Sequence, residues 1–326
     1  MTIVRLEVKA PASIAPEQSV KLTANAVRSD GSIENVTDRT QWSSVDPDLI
    51  QVGTGGIATG VRVGETTVVA NYHDGSRTSY GTVSLVVLVP GTYKLSGRIT
   101  DSGVAVAQVT VTVLSGVGAG LTTLSRVDGM FALYGIGGRV RLHASREGYL
   151  NKIEELDVTD IVTHDFEMAP DRQRSDLSGT YSLTLEMGAC DARSASLPAE
   201  FRRRRYSATV SQQGPSLTVT LSGADFIIKN GRGNHFTGTL DPVDDVRLNL
   251  GNPDDIFLSE YADLVERFDS TTAFLVYGTV HARATSATII GTLAGSLITA
   301  DANSPSYWSK SGWCYSEGHG FEMRRQ

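Results

Sequence analysis

Apolar and polar residues alternate one by one along almost the whole chain, and this constrains the fold more than any other feature. Tyr181, Leu183, Leu185 and Met187 fall on one face of an extended segment, with Thr180, Ser182, Thr184 and Glu186 on the other. Val109, Val111 and Val113 repeat the pattern upstream, as do Leu217, Val219 and Leu221 downstream. No stretch sustains a helical period; the best candidate, Asp254–Arg267, is short and fits a loop followed by a strand equally well. With 33 glycines to supply turns, the period of two specifies an all-β protein. A length of 326 residues is too great for one ordinary sandwich and fits two or three domains.

Residues 1–90 read as the first domain. Its turns fall at Pro11, Pro16-Glu17 and Ser29-Asp30-Gly31-Ser32, and a single large residue, Trp42, stands among small β-branched neighbours. Strands separated by turns every ~8–12 residues describe an Ig-like sandwich. The Ser-Asp-Gly-Ser turn, Val36-Thr37, Trp42-Ser43-Ser44-Val45-Asp46-Pro47, Gly56-Ile57-Ala58-Thr59-Gly60 and Val68-Val69-Ala70-Asn71-Tyr72 closely resemble the bacterial Ig-like group 2 family. That resemblance implies an extracellular or surface spacer and no catalytic residues. Asp30, Asp46 and Asp48 admit two readings, a calcium cluster or turn formers.

Pro90-Gly91-Thr92 is a short, stiff linker, and residues 91–170 form the second domain. Ser96-Gly97-Arg98-Ile99, Gly103 to Val113, Asp128-Gly129-Met130-Phe131 and Gly148-Tyr149 resemble the carboxypeptidase regulatory-like family, a transthyretin-like sandwich, with Val140 where that family carries an aromatic. The resemblance implies an accessory module of surface and secreted proteins. Asp171 to Asp176, charged and free of apolar residues, reads as a second linker.

Residues 175–326 carry about eight alternating segments. An up-and-down sheet of that size closes most simply as an antiparallel eight-stranded barrel, with a jelly roll or a further sandwich as the alternative. Gly179-Thr180-Tyr181 resembles the opening of lipocalin-like barrels, where Gly-x-Trp is usual. Cys190 follows the first segment and Cys314 precedes the last. Closure makes those strands neighbours, so a Cys190–Cys314 disulfide is expected, the alternative being two buried thiols.

Function is less legible. The formal charge of −7 and pI near 5.4 argue against nucleic acid as a partner. No apolar run is long enough for a transmembrane helix, and Met1 to Leu6 reads as a strand, so no export signal is expected in this chain. The domain types nevertheless point to a secreted or cell-surface bacterial protein. Six scattered histidines and the absence of His-Glu-x-x-His, Gly-x-Ser-x-Gly or phosphate-loop motifs give no catalytic residue, metal site or cofactor. Asp241, Asp244, Asp245, Asp254 and Asp255 crowd two loops, as calcium ligands or as solvated turns.

Two places remain. In Arg202-Arg203-Arg204-Arg205, strand parity turns Arg202 and Arg204 toward a barrel mouth, to bind an acidic ligand or to pair with Glu186, Glu200 or the Asp-rich loops. Tyr307, Trp308, Trp313 and Tyr315 crowd around Cys314, as a plug over one barrel end or as a contact surface. The expectation is a non-enzymatic modular protein whose two sandwiches present a binding barrel. Its partner would be an extracellular protein, a glycan or further copies of itself; the alternatives are a carbohydrate-binding accessory protein and a subunit of a fibre or stalk.

Overall fold

The computed structural model describes residues 2–75, 77–194, 197–229, 231–251, 262–305 and 309–326. Strands form where the alternation runs, and the protein is all-β: two small sandwiches followed by a closed antiparallel barrel. Its contacts divide it into two compact units. Unit 1 comprises Met1–Thr100, Ala105–Arg146 and Asn151–Glu167; unit 2 comprises Asp101–Val104, Glu147–Leu150 and Met168–Gln326.

In the first sandwich Thr78–Val87 and Gly64–His73 pair along their whole length, and Ile3–Lys9, Thr23–Arg28 and Ile33–Asn35 form a separate sheet. Trp42 packs against both of the sandwich's buried clusters, and its indole N–H donates to the Thr37 carbonyl at 3.1 Å. Gly56 has φ 74°, and a Cβ there would stand 3.0 Å from the Trp42 ring, so the ring dictates the glycine. Asp30 accepts hydrogen bonds from the Ser32 amide and hydroxyl, and Asp46 accepts one from the Asp48 amide. These are turn-forming roles.

In the second sandwich one long strand, Met130–Ser145, pairs first with Tyr93–Asp101 and then with Thr110–Val117. It turns the corner at Gly135 and Gly138, both with positive φ. Val140 is buried. Within unit 1, Glu65 accepts hydrogen bonds from Lys94 at 2.6 Å, Tyr134 at 2.7 Å and Ser84 at 2.5 Å, tying the first sandwich to the second. Burial alone would raise the Glu65 pKa; the three donors outweigh it and hold the carboxyl down at about 2.

From Gly179 onward nine strands follow among the described residues: β1 (Gly179–Glu186), β2 (Arg203–Gln213), β3 (Ser216–Ser222), β4 (His235–Leu240), β5 (Asp245–Asn249), β6 (Leu264–Arg267), β7 (Thr272–Ala284), β8 (Thr288–Asp301) and β9 (Lys310–Arg325). Each strand pairs antiparallel with the next, except that β7 pairs with both β5 and β6, and β9 returns to β1. Eight strands thus close the barrel and β6 lies outside the ring. Of Asp254–Arg267, residues 254–261 lie outside the described residues, and Leu264–Arg267 is strand β6.

Inward side chains from all eight ring strands, among them Tyr181, Leu183, Leu217, Phe236, Val280 and Phe321, form one continuous buried cluster. Beyond the ring, β7 and β8 continue past β5. There Ala273, Leu275 and Tyr277 join Ile298 and Ala300 in a second apolar cluster, which explains why five consecutive residues of β7 are buried.

Gly278 of β7 and Gly295 of β8 face each other where β7 passes from β5 to β6. A Cβ on Gly295 would meet the Tyr277 carbonyl oxygen at 2.0 Å, against rigid backbone. Gly295→Ala is therefore expected to cost about 2–3 kcal/mol through overpacking, read as a lowered urea midpoint. An unchanged midpoint would show that the strands separate freely there.

The other barrel end is stapled by Arg325, whose guanidinium lies 5.5 Å from the Tyr181 ring and donates to the Asp176 and Ser178 carbonyls. The charged segment expected as a linker is anchored within unit 2. Arg172 donates to the Pro242 carbonyl and Arg174 to that of Leu240; Arg174 also forms a buried ion pair with Asp101.

Candidate functional site: the barrel mouth and its disulfide

The mouth is built where β2 starts. The 3-10 turn Ala199–Phe201 buries Phe201, which stacks on Phe274 at 5.5 Å and tilts against Phe268 at 4.6 Å. Arg202 closes that turn in helical conformation (φ −70°, ψ −23°) and is exposed. Strand parity predicts that it shares the inward face of Arg204; it does not, because the strand begins one residue later, at Arg203.

Arg204 does turn inward. Its guanidinium engages both carboxylate oxygens of Glu266, with Nε to Oε2 at 3.0 Å, and lies 5.4 Å from the Phe268 ring centroid. Two residues along the same face, the Tyr206 hydroxyl donates to Glu266 Oε2 at 2.9 Å, and the Tyr206 ring packs on Phe226. The partner is none of the acidic groups anticipated from the sequence. It is Glu266 on β6, itself 4% exposed.

Burial works against the Arg204 charge, but Glu266 and Tyr206 outweigh it and raise the guanidinium pKa. Burial, followed by the Glu266 charge, raises that of Tyr206, which remains a donor at neutral pH. With both oxygens of Glu266 accepting hydrogen bonds, the network braces the mouth. Neighbouring pairs, Arg232 with Asp263 at 2.6 Å and Arg267 with Asp225 at 3.5 Å, brace β6 on either side. Among the described residues no group of three or more His, Cys, Asp or Glu side chains is placed to hold a metal.

Cys190 and Cys314 are joined by a disulfide across 124 residues, with Cα atoms 5.1 Å apart. Cys314 lies inside β9, not before the last strand: β9 begins at Lys310, far earlier than its apolar pattern suggested. A bulge at Glu317-Gly318 reverses the parity, since Leu293 pairs with His319 while Gly295 pairs with Ser316. Cys314 and Ser316 on one side of it and His319 and Phe321 on the other are therefore all buried.

Trp313 and Tyr315 belong to this strand and not to a plugging loop. Trp313 packs against the second apolar cluster, with Lys310 Nζ 4.6 Å from its ring. Tyr315 is 38% exposed, and Tyr307 and Trp308 lie outside the described residues. Glu266, Tyr206 and Phe268 complete the mouth; only the inward parity of Tyr206 was available in the sequence to indicate any of them.

No family model matches the chain, and no curated protein matches it. Among solved structures, the Bacillus anthracis TIE protein matches with 10% identity over 98% of this chain and 72% of that one, at a TM-score of 0.22. A likeness that small carries no argument.

Proposed function

We propose that this is a non-enzymatic modular protein of the bacterial surface or exterior, in which two spacer sandwiches carry a barrel that binds through its outer surface. The disulfide is the observation that carries the reading. Both cysteines are consumed in a bridge that spans most of the barrel, which suits an oxidising compartment. The continuous apolar filling of the barrel favours an outer binding surface over an internal one. Candidate contact residues are Tyr315, Arg202 and the exposed rim of Phe268. The Trp42–Gly56 contact and the Asp30 turn support membership of the first sandwich in the bacterial Ig-like group 2 family. The corner at Gly135–Gly138 and buried Val140 are compatible with a carboxypeptidase regulatory-like second sandwich.

The test is surface proteolysis of intact producing cells, combined with alkylation of cysteines before lysis. The reading requires protease-accessible protein with both thiols blocked as a disulfide. A protected pool with two alkylated thiols would overturn it. A second reading, glycan binding, draws on exposed Tyr315 beside half-buried Trp313. Tyr315→Ala would abolish retention on a glycan array in that case, and retention unaffected by the change would exclude this surface.

A further inference from the structure

His319 is completely buried, and each ring nitrogen already has a partner. The Gly188 amide donates to Nδ1 at 3.0 Å, while Nε2 stands 3.2 Å from the Gly295 carbonyl. An amide on one side and a carbonyl on the other fix the ring as neutral imidazole with its proton on Nε2. Gly188 belongs to the strap that leaves β1. Its Cβ position is closed off by the Gly318 carbonyl, 2.4 Å away, so the strap lies flat on β9 and only glycine fits. The strap is held further by Met187 N–H to the Arg202 carbonyl at 2.7 Å, by Asp191 N–H to the Tyr315 carbonyl at 2.9 Å, and by the Cys190–Cys314 bond.

We propose that His319 is an acid-responsive latch: protonation of its ring releases the Met187–Asp191 strap from β9, while the disulfide keeps the released strap tethered. The geometry gives the reason. A proton added at Nδ1 would point at the Gly188 N–H, setting donor against donor and placing an unpaired charge in the barrel core.

The charged groups on the surrounding elements offer the imidazolium no partner. Glu186 ends β1 and Arg203 starts β2 on the outer face; Arg202 and Glu317 are exposed, Asp191 accepts from the Ser194 hydroxyl, and Glu322 pairs with Arg324. Burial lowers the His319 pKa, against a smaller upward pull from the Gly295 and Cys314 backbone. The sign follows. Stability from the neutral ring is complete above the ordinary imidazole pKa of about 6.5 and is lost as pH falls toward the depressed value. In that window the opening equilibrium of the strap grows with each pH unit lost, by at most about tenfold for one proton.

The experiment is an NMR titration of the intact, oxidised full chain from pH 8 to 4, following the His319 ring nitrogens and the Gly188 amide. The Nε2–H tautomer is expected at pH 8. Protonation is expected below the ordinary range, together with loss of Gly188 exchange protection after correction for intrinsic rates. His319→Gln keeps an acceptor and a donor but does not titrate, and is expected to remove the pH dependence of Gly188 protection. Protonation of His319 with Gly188 still protected would overturn the proposal, as would the same acid-dependent loss in His319→Gln. The wild-type titration decides the matter even if the variant does not fold.

Discussion

Arg204→Met is expected to lower stability by about 3 kcal/mol, because it leaves the Glu266 carboxylate buried with a single neutral donor. The estimate sits at the low end for a broken buried pair because the Arg204 side chain is 21% exposed, against 5% for Glu266. The same asymmetry orders the single variants. Glu266→Leu leaves a guanidinium at the rim, within reach of water, and costs less than Arg204→Met. Replacing the three members together, as Arg204→Met, Tyr206→Phe and Glu266→Leu, is expected to return stability to within about 1 kcal/mol of the parent. Urea unfolding of the parent, the three single variants Arg204→Met, Tyr206→Phe and Glu266→Leu, and the triple variant measures this. Costs that simply add across the three sites would refute a coupled network.

Removing the disulfide has the larger effect. The bridge closes a loop spanning 124 positions, for which chain entropy gives about 5 kcal/mol. The pair Cys190→Ser and Cys314→Ala is therefore expected to lose roughly that amount and to raise the urea m-value, since the unfolded barrel would expand further. The m-value discriminates between causes. A loss of stability with m unchanged would place the contribution in native contacts around buried Cys314 and not in the unfolded chain.

Much of the fold was legible because strand parity is a local property. The alternation at Tyr181, Leu183 and Leu185 named the inward face of β1, and the same reasoning placed Arg204 inward. The disulfide followed from closure of the ring. Parity failed where local backbone interrupts it: at Arg202, captured by the turn of Phe201, and in β9, where one extra residue at the bulge hid half the strand. Glu266 was invisible for a different reason. Its partner lies 62 residues away in sequence, and pairing across a barrel mouth leaves no mark in local composition. His319 read as one of six scattered histidines because its partners are backbone groups, which every residue carries.

The first and last barrel strands lie side by side with their chain ends at the same pole, since Tyr181 pairs with Arg325 and the Gln326 amide reaches the Thr180 carbonyl. Tension applied between Leu177 and Gln326 would peel this pair apart one hydrogen bond after another, the weakest way to load a sheet. Peeling ends at Cys190 and Cys314, where the covalent bridge takes the force and bypasses everything between them. The barrel under load is thus a tether with a fixed slack of roughly 25 residues, about 85 Å, behind which β2 to β8 carry no tension at all.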